Sequence, residues 1–451
     1  MPELLPTTKR ALLHRVAVEQ AECRVPSLVA GVVRGGELLW SAGRGRVGDA
    51  EPGADTQYRI GSITKTFVAV LVMRLRDEGK VRLDDHLDAY VSGTPVGDRS
   101  LVHLLSHGSG LSSEIPGDWW ERSYGRDEAT LLTALTGDSV KHPAGRRYHY
   151  SNPGIALLGT LVERLRGRPW FDVLRDEVLA PLGMERTSYH PRPPHAQGYG
   201  VHPYADVVLR EPHTDTAAMA PAGQLWSTVG DLARWAAFLT GDTGGALAPA
   251  TVEEMRQPIH VEDDDTWSHA YGLGVGVDRA RGRRLVGHGG SMPGFLANVS
   301  VQPEDGTGAI CLANATSGLS GTFDLDLLDL LDEHEPAIPE PWLPRSVPDD
   351  VLAIVGPWYW GTRPHTLSAL GDDLLGLRAG SARRSARFRA EPDGTWTGLD
   401  GYHAGETLQV VRRDDGTVSH LDIGTFCFTR SPYDPAAPIP GGLPDEGWTA
   451  G

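Results

Sequence analysis

The chain has 451 residues, 40% of them apolar and 22% charged, proportions of a soluble globular protein long enough for two domains with cores of their own. Its 42 basic and 59 acidic residues leave a net charge of −17, which argues against a nucleic-acid partner, since phosphates are met by a basic face. Cys23, Cys311 and Cys427 are odd in number, far apart and in no Cys-x-x-Cys pattern, so neither a disulfide framework nor a metal site is expected.

The opening residues, MPELLPTTKRALLHRVAVEQAEC, lack the continuous apolar stretch of a secretory signal, and no window approaches a membrane-spanning length; a cytoplasmic protein with no membrane partner is expected. Lys9–Glu22 suits an amphipathic helix. VPSLVAGVV and LLWSAGRG, two β-rich runs around RGGE, predict a hairpin. After Ile60 the pattern turns helical, with Phe67, Val70, Leu71, Met73 and Leu75 apolar and Gly79 closing the run. LVHLLSH predicts a short helix broken at Gly108–Gly110. IALLGTLVERLRG and DLARWAAFLTG predict two more, the second opened by Ser227/Thr228 with Asp231 in the manner of a capping box. GLGVGVDR, RRLVGHGG, LANVSVQP and GAICLANA read as successive antiparallel strands, followed by the helix LSGTFDLDLLDLLDEH.

A run of prolines from Pro336 to Pro348 then predicts an extended linker. Beyond it, short alternating runs separated by Gly/Asp turns predict a small all-β barrel ending in an irregular tail. The expected organisation is a mixed α/β body over 1–335, a linker over 336–349 and a β domain over 350–451.

Three stretches carry chemistry. RIGSITKTFVAV places one of only four lysines, Lys65, three residues after Ser62 at the entrance to a helix, so one turn puts both on the same face. RRYHYSNPGIALLG offers Tyr150 and Asn152, a phenol and an amide that project the same way from an extended loop. LVGHGGSMPGF offers His288 followed by Gly289 and Gly290, a strand stripped of side chains where something must approach its backbone.

In this order the three resemble the marks of the penicillin-binding-protein and class C β-lactamase superfamily of serine hydrolases: Ser-x-x-Lys, Tyr-x-Asn, and a strand motif that is Lys-Thr-Gly or His-x-Gly. LVHLLSHGSGL, PLGMERT and GQLWSTVGDLARW look like further landmarks, and the resemblance covers roughly residues 10–335. It implies a central antiparallel sheet flanked by helices. The C-terminal barrel looks like the lipocalin-like domain that follows some members. His288 stands where class C β-lactamases carry lysine; the His-x-Gly form is similar to that of esterases, D-amino-acid peptidases and peptide cyclases.

The resemblance implies acyl transfer through an ester on Ser62, with no cofactor and no metal. Lys65 takes the Ser62 proton if burial depresses its pKa. Tyr150 relays a proton to the leaving group, its phenol acidified by a cationic Lys65 or His288; whether Lys65 or Tyr150 is the base stays open. Asn152 holds Lys65 or a substrate amide. The backbone N–H groups of Ser62 and Ser291 stand where the family places its oxyanion hole, and Gly289 and Gly290 line the substrate.

The resemblance points most closely to penicillin-binding-protein-type thioesterases. These take a peptidyl thioester with a D-residue at its acyl end, carried on a peptidyl carrier protein, and release it by macrocyclisation or hydrolysis. A carboxylesterase, a D-stereospecific aminopeptidase or carboxypeptidase, and a non-catalytic substrate-binding protein are the alternatives. Trp119, Trp120, Trp226, Trp235, Trp358 and Trp360 are expected to line a groove for an apolar acyl chain. In GTFCFTR, Phe426, Phe428 and Arg430 share a face, and Arg430 is placed to receive a peptide carboxylate. His103, His107 and His149 are expected to be structural.

Overall fold

The computed structural model describes residues 3–336, 338–380, 385–439 and 447–449. The chain divides into two compact units, Met1–Ile338 and Pro339–Gly451. Residues 338–348 carry neither helix nor strand, as their prolines dictate.

The first unit is built on an eight-stranded sheet. The predicted hairpin forms its near edge as Glu37–Gly45 and Ser27–Arg34. Ser27–Arg34 pairs with Gly308–Ala313, which joins Phe295–Val301, Arg283–Met292 and Gly276–Ala280 in an antiparallel run. Two short strands, His269–Tyr271 and His260–Val261, extend the sheet beyond the four-strand run read from the sequence. Their apolar content is too small to announce them.

Each face of the sheet buries its own core. Helices Pro6–Glu22 and Phe323–His334 cover one face, with Leu12, Val16, Leu327 and Leu331 packed over Leu28, Ala30, Val32 and Cys311. The other face holds the larger core, into which helices Thr64–Asp77, Asn152–Arg166 and Val229–Thr240 pack. Thr64–Asp77 is buried along nearly its whole length, including Lys65, which marks it as a central helix and not an amphipathic surface one. Asn152–Arg166 starts where Ser151 accepts the Gly154 N–H and stops at Gly167, whose φ of +68° is left-handed. Thr228 caps Val229–Thr240 by accepting the Asp231 N–H at 3.1 Å.

The second unit is a closed eight-stranded barrel running from Gly356–Trp360 to Phe426–Thr429. Strands such as Arg363–Ala369 and Ala386–Ala390 alternate exposed and buried positions, as a two-residue repeat requires. Leu367, Leu375, Phe388, Leu408, Leu421 and Phe428 fill the interior, together with Trp358 and with Val351 and Ile354 from the segment before the first strand. Among the described residues no helix is long and apolar enough to cross a membrane.

Candidate active site

The sequence Ile60-Gly61-Ser62 makes a single 3₁₀ turn, Gly61–Ile63, that leads directly into the helix Thr64–Asp77. Ser62 is half-buried in that turn, and Lys65, one turn on, is fully buried beneath it. Lys65 Nζ lies 2.7 Å from Ser62 Oγ and donates to the Ala222 carbonyl at 2.6 Å. Burial lowers its pKa to about 7, against the pull of the carboxylates of Glu114 and Glu121. An amine so placed is neutral often enough to accept a proton from the hydroxyl above it.

The strand Arg283–Met292 brings His288 to Ser291 against this turn. Gly61 has φ +51°, and a Cβ there would stand 2.6 Å from the Ser291 nitrogen. A Cβ on Gly290 would meet the Ile60 carbonyl oxygen. Both positions must therefore be glycine for the two backbones to lie this close, which sets the peptide groups of Ser62 and Ser291 side by side.

Tyr150 enters from the loop before helix Asn152–Arg166. Its ring lies 4.2 Å from that of His107 and 6.1 Å from that of His288, centre to centre, and Lys65 Nζ is 5.0 Å from its centre. Burial raises the pKa of the phenol, a hydrogen bond with Ser62 only partly opposing it, so Tyr150 rests as a neutral proton donor. Burial, followed by the charge of Lys65, lowers His288 to about 3. His288 is thus neutral, and the expectation that a cationic His288 acidifies Tyr150 is corrected: desolvation of the imidazole, whose Nε2 is buried, outweighs that role.

The Asn152 amide nitrogen is committed to Glu114. Nδ2 donates to Glu114 Oε1 at 2.7 Å, and Glu114 Oε2 accepts Trp120 Nε1 at 2.7 Å. Glu114 is a site residue that sequence reasoning missed; it sits in a loop, SSEIPGD, with no motif around it. His107 has a structural part, as expected: its Nδ1 accepts the Ser151 N–H at 3.1 Å and fixes the segment that carries Tyr150.

The expected substrate contact of Trp226 is corrected, and Arg430 makes contacts within its own unit. Trp226 is 1% exposed and packs against His213 and Phe295 in the core. Arg430 lies in the barrel, its guanidinium 3.8 Å from the centre of the Trp358 ring and bonded to the carbonyls of Ala353, Val355 and Pro357. Those contacts commit both Nη1 hydrogens and one Nη2 hydrogen to the barrel's own backbone. Burial likewise removes Trp235 and Trp358 from the expected tryptophan groove, since both are fully enclosed, while Trp119 and Trp360 are exposed.

Ser62, Tyr150, His288, Gly289, Gly290 and Ser291 line one cleft of about 630 Å³, which continues to Asn298, Ser300 and Asp324. A second hollow of about 640 Å³, between Trp170, Tyr189 and Pro221, is as large. Its serine, Ser188, gives its proton to the His190 carbonyl, so volume alone does not choose the site. The pairing of a hydroxyl with a buried amine does.

A profile of the Beta-lactamase family matches residues 13–333, and one of a domain of unknown function, DUF7586, matches residues 347–430. Penicillin-binding protein 4 of Amycolatopsis lactamdurans is 28% identical over 335 residues, 67% of this chain and 84% of that protein. Beta-lactamase-like protein 2 of Dictyostelium discoideum is 26% identical over 298 residues, and the D-alanyl-D-alanine-carboxypeptidase/endopeptidase AmpH of Escherichia coli 29% over 219. The chain spans 54% of the length of each of these last two. Among solved structures, the octameric penicillin-binding protein homologue from Pyrococcus abyssi superposes with a TM-score of 0.65 at 22% identity, over 94% of this chain and 100% of that one. SurE superposes at 0.59 and 23% identity over 94% and 99%, and a D-stereospecific amidohydrolase from Streptomyces sp. at 0.61 and 24% over 73% and 98%.

Proposed function

The chain belongs to the Beta-lactamase family, and we propose that it is a serine acyl-transfer enzyme which takes a peptidyl thioester, with a D-residue at its acyl end, onto Ser62 and releases it by macrocyclisation or hydrolysis. The observation that carries the acyl-transfer chemistry is the 2.7 Å contact between Ser62 Oγ and the buried Lys65 amine.

Neutral Lys65 accepts the Ser62 proton while Oγ attacks the thioester carbonyl. The oxyanion is met by the N–H groups of Ser62 and Ser291, donors fixed before the reaction begins. Tyr150, a neutral phenol, gives its proton to the departing thiolate and recovers one from Lys65. Of the two candidate bases Lys65 is therefore preferred: burial pushes the amine toward neutrality and the phenol away from ionisation. In the second half the acceptor, an amine of the same peptide or a water, loses its proton along the same route, and Ser62 regains its hydrogen.

The D-configured donor is supported by structural neighbours, among them a D-amino acid amidase from Ochrobactrum anthropi and a complex of SurE with D-Leu. The amidase and the Streptomyces amidohydrolase align over 72% and 73% of this chain, SurE over 94%. A carrier protein presenting the thioester is part of the proposal.

The test offers three substrates to the full chain: a linear peptidyl thioester ending in a D-residue, a p-nitrophenyl ester and a D-alanyl anilide. Cyclic or hydrolysed peptide from the first, with a Ser62 adduct by intact mass that Ser62→Ala lacks, supports the proposal. Turnover confined to the simple ester points to a carboxylesterase, and to the anilide a D-aminopeptidase. Turnover by Ser62→Ala overturns the mechanism.

A further inference from the structure

Three buried polar atoms beside Tyr150 lack a hydrogen-bond partner among the described residues: His107 Nε2, Tyr271 Oη and His288 Nε2. They belong to one cluster of rings. His107 and Tyr271 are 4.5 Å apart between centres, and Tyr271 and His288 are 5.6 Å apart. Enclosed polar atoms are almost always satisfied, so three orphans in one place require an explanation.

The partners of the other ring nitrogens assign the protons. His107 Nδ1 accepts a backbone N–H, that of Ser151, so its hydrogen is on Nε2, which faces the cluster as a donor. His288 Nδ1 lies against the Gly289 carbonyl, which only accepts, so Nδ1 carries the hydrogen and Nε2 is a bare acceptor. The Tyr271 hydroxyl both donates and accepts. The three unmet needs are complementary: one donor, one acceptor, and one group that is both.

We propose that Tyr271 is a positioning residue, and that a buried water shared by His107 Nε2–H, the Tyr271 hydroxyl and His288 Nε2 closes these groups into one network that locks the His288 ring against Tyr150. A polar site with three partners is what a buried water needs. Tyr271 acts through His288 and does not touch the substrate. Its site is assembled from distant segments: the His107 loop, the strand His269–Tyr271 and the strand Arg283–Met292.

Only the kinetic arm of the test rests on the acyl-transfer reading. Tyr271→Phe removes the hydroxyl and keeps the ring. His107→Asn keeps an acceptor for the Ser151 N–H and tolerates the left-handed φ of +54° at that position, but lacks the Nε2–H donor. Nitrogen-15 NMR of histidine-labelled full-length protein is expected to show His107 protonated on Nε2 and His288 on Nδ1. In Tyr271→Phe the His288 Nε2 resonance is expected to move toward that of a free, unbonded imidazole nitrogen. With the substrate that acylates the wild type, both variants are expected to lower kcat at least tenfold and to move KM less than twofold. The opposite tautomer at either histidine, or an unmoved His288 resonance in Tyr271→Phe, overturns the proposal. So does wild-type kcat in Tyr271→Phe. If Tyr271→Phe does not fold, the wild-type tautomers and His107→Asn decide. If the wild type acylates with no substrate, the acyl-transfer reading fails and the resonances still decide the network.

Discussion

A Cβ placed on Gly290 would stand 1.9 Å from the carbonyl oxygen of Ile60. The strand that carries His288 and the turn that carries Ser62 are therefore in backbone-to-backbone contact, with no room for the smallest side chain. Gly290→Ala must push the strand off the turn and with it the Ser291 N–H. Loss of one oxyanion donor costs about 10²–10³ in rate in known cases. Acyl-enzyme formation, followed by stopped-flow and intact mass, is expected to slow about 100-fold or more while the far-UV circular dichroism is unchanged.

Lys65 gives the pH dependence a definite sign. The amine must be neutral to accept the Ser62 proton, and its pKa is lowered to about 7 by burial. Acylation is therefore expected to rise about tenfold per pH unit below 7 and to level off above it. Lys65→Met is expected to abolish acylation and remove that limb.

The same shift appears in stability. The unfolded chain holds the Lys65 proton up to about its model-peptide value of 10.5, the folded chain only up to about 7. Between these limits the unfolded state binds more protons, so this group makes unfolding free energy rise with pH from 7 to 10.5. Chemical denaturation of wild type and Lys65→Met across that window should diverge: the variant is expected to lack the rise and to be the more stable protein at pH 7.

Glu114 tunes the site from behind. Its carboxylate anchors Asn152 and Trp120 and pulls the Lys65 pKa upward. Glu114→Gln removes the charge, so the acid limb of the acylation profile is expected to move to lower pH. The hydrogen bond lost at Trp120 costs about 1 kcal/mol, read as a lowered denaturation midpoint. A limb that moves upward instead contradicts the assignment.

Arg430 braces the barrel. Its guanidinium covers Trp358 and donates to three carbonyls on the segment 353–357. Arg430→Met keeps some of the cover and loses the donors, leaving those carbonyls to find other partners. A loss of about 2–4 kcal/mol is expected, measured as an earlier melting transition of the barrel. Acylation of a small p-nitrophenyl ester is expected to be unchanged.

What short-range geometry dictates was legible along the chain. Ser62 and Lys65 are three apart at a helix entrance, so one turn must stack them. Gly289 and Gly290 leave a bare strand whatever surrounds it. Alternation in ARFRA and its neighbours announces a barrel, and Thr228 with Asp231 announces a helix start. Features that depend on burial and on partners far along the chain emerged with the packed fold. Asn152 turns its amide nitrogen to Glu114, 38 residues away; Trp226 and Trp235 sink into the core; Arg430 donates to carbonyls more than 70 residues before it. The charge states of Lys65, Tyr150 and His288 follow the same rule. A pKa is set by how much water the fold removes and which charges it brings near, and neither quantity is written in the spacing of residues along one strand or one helix.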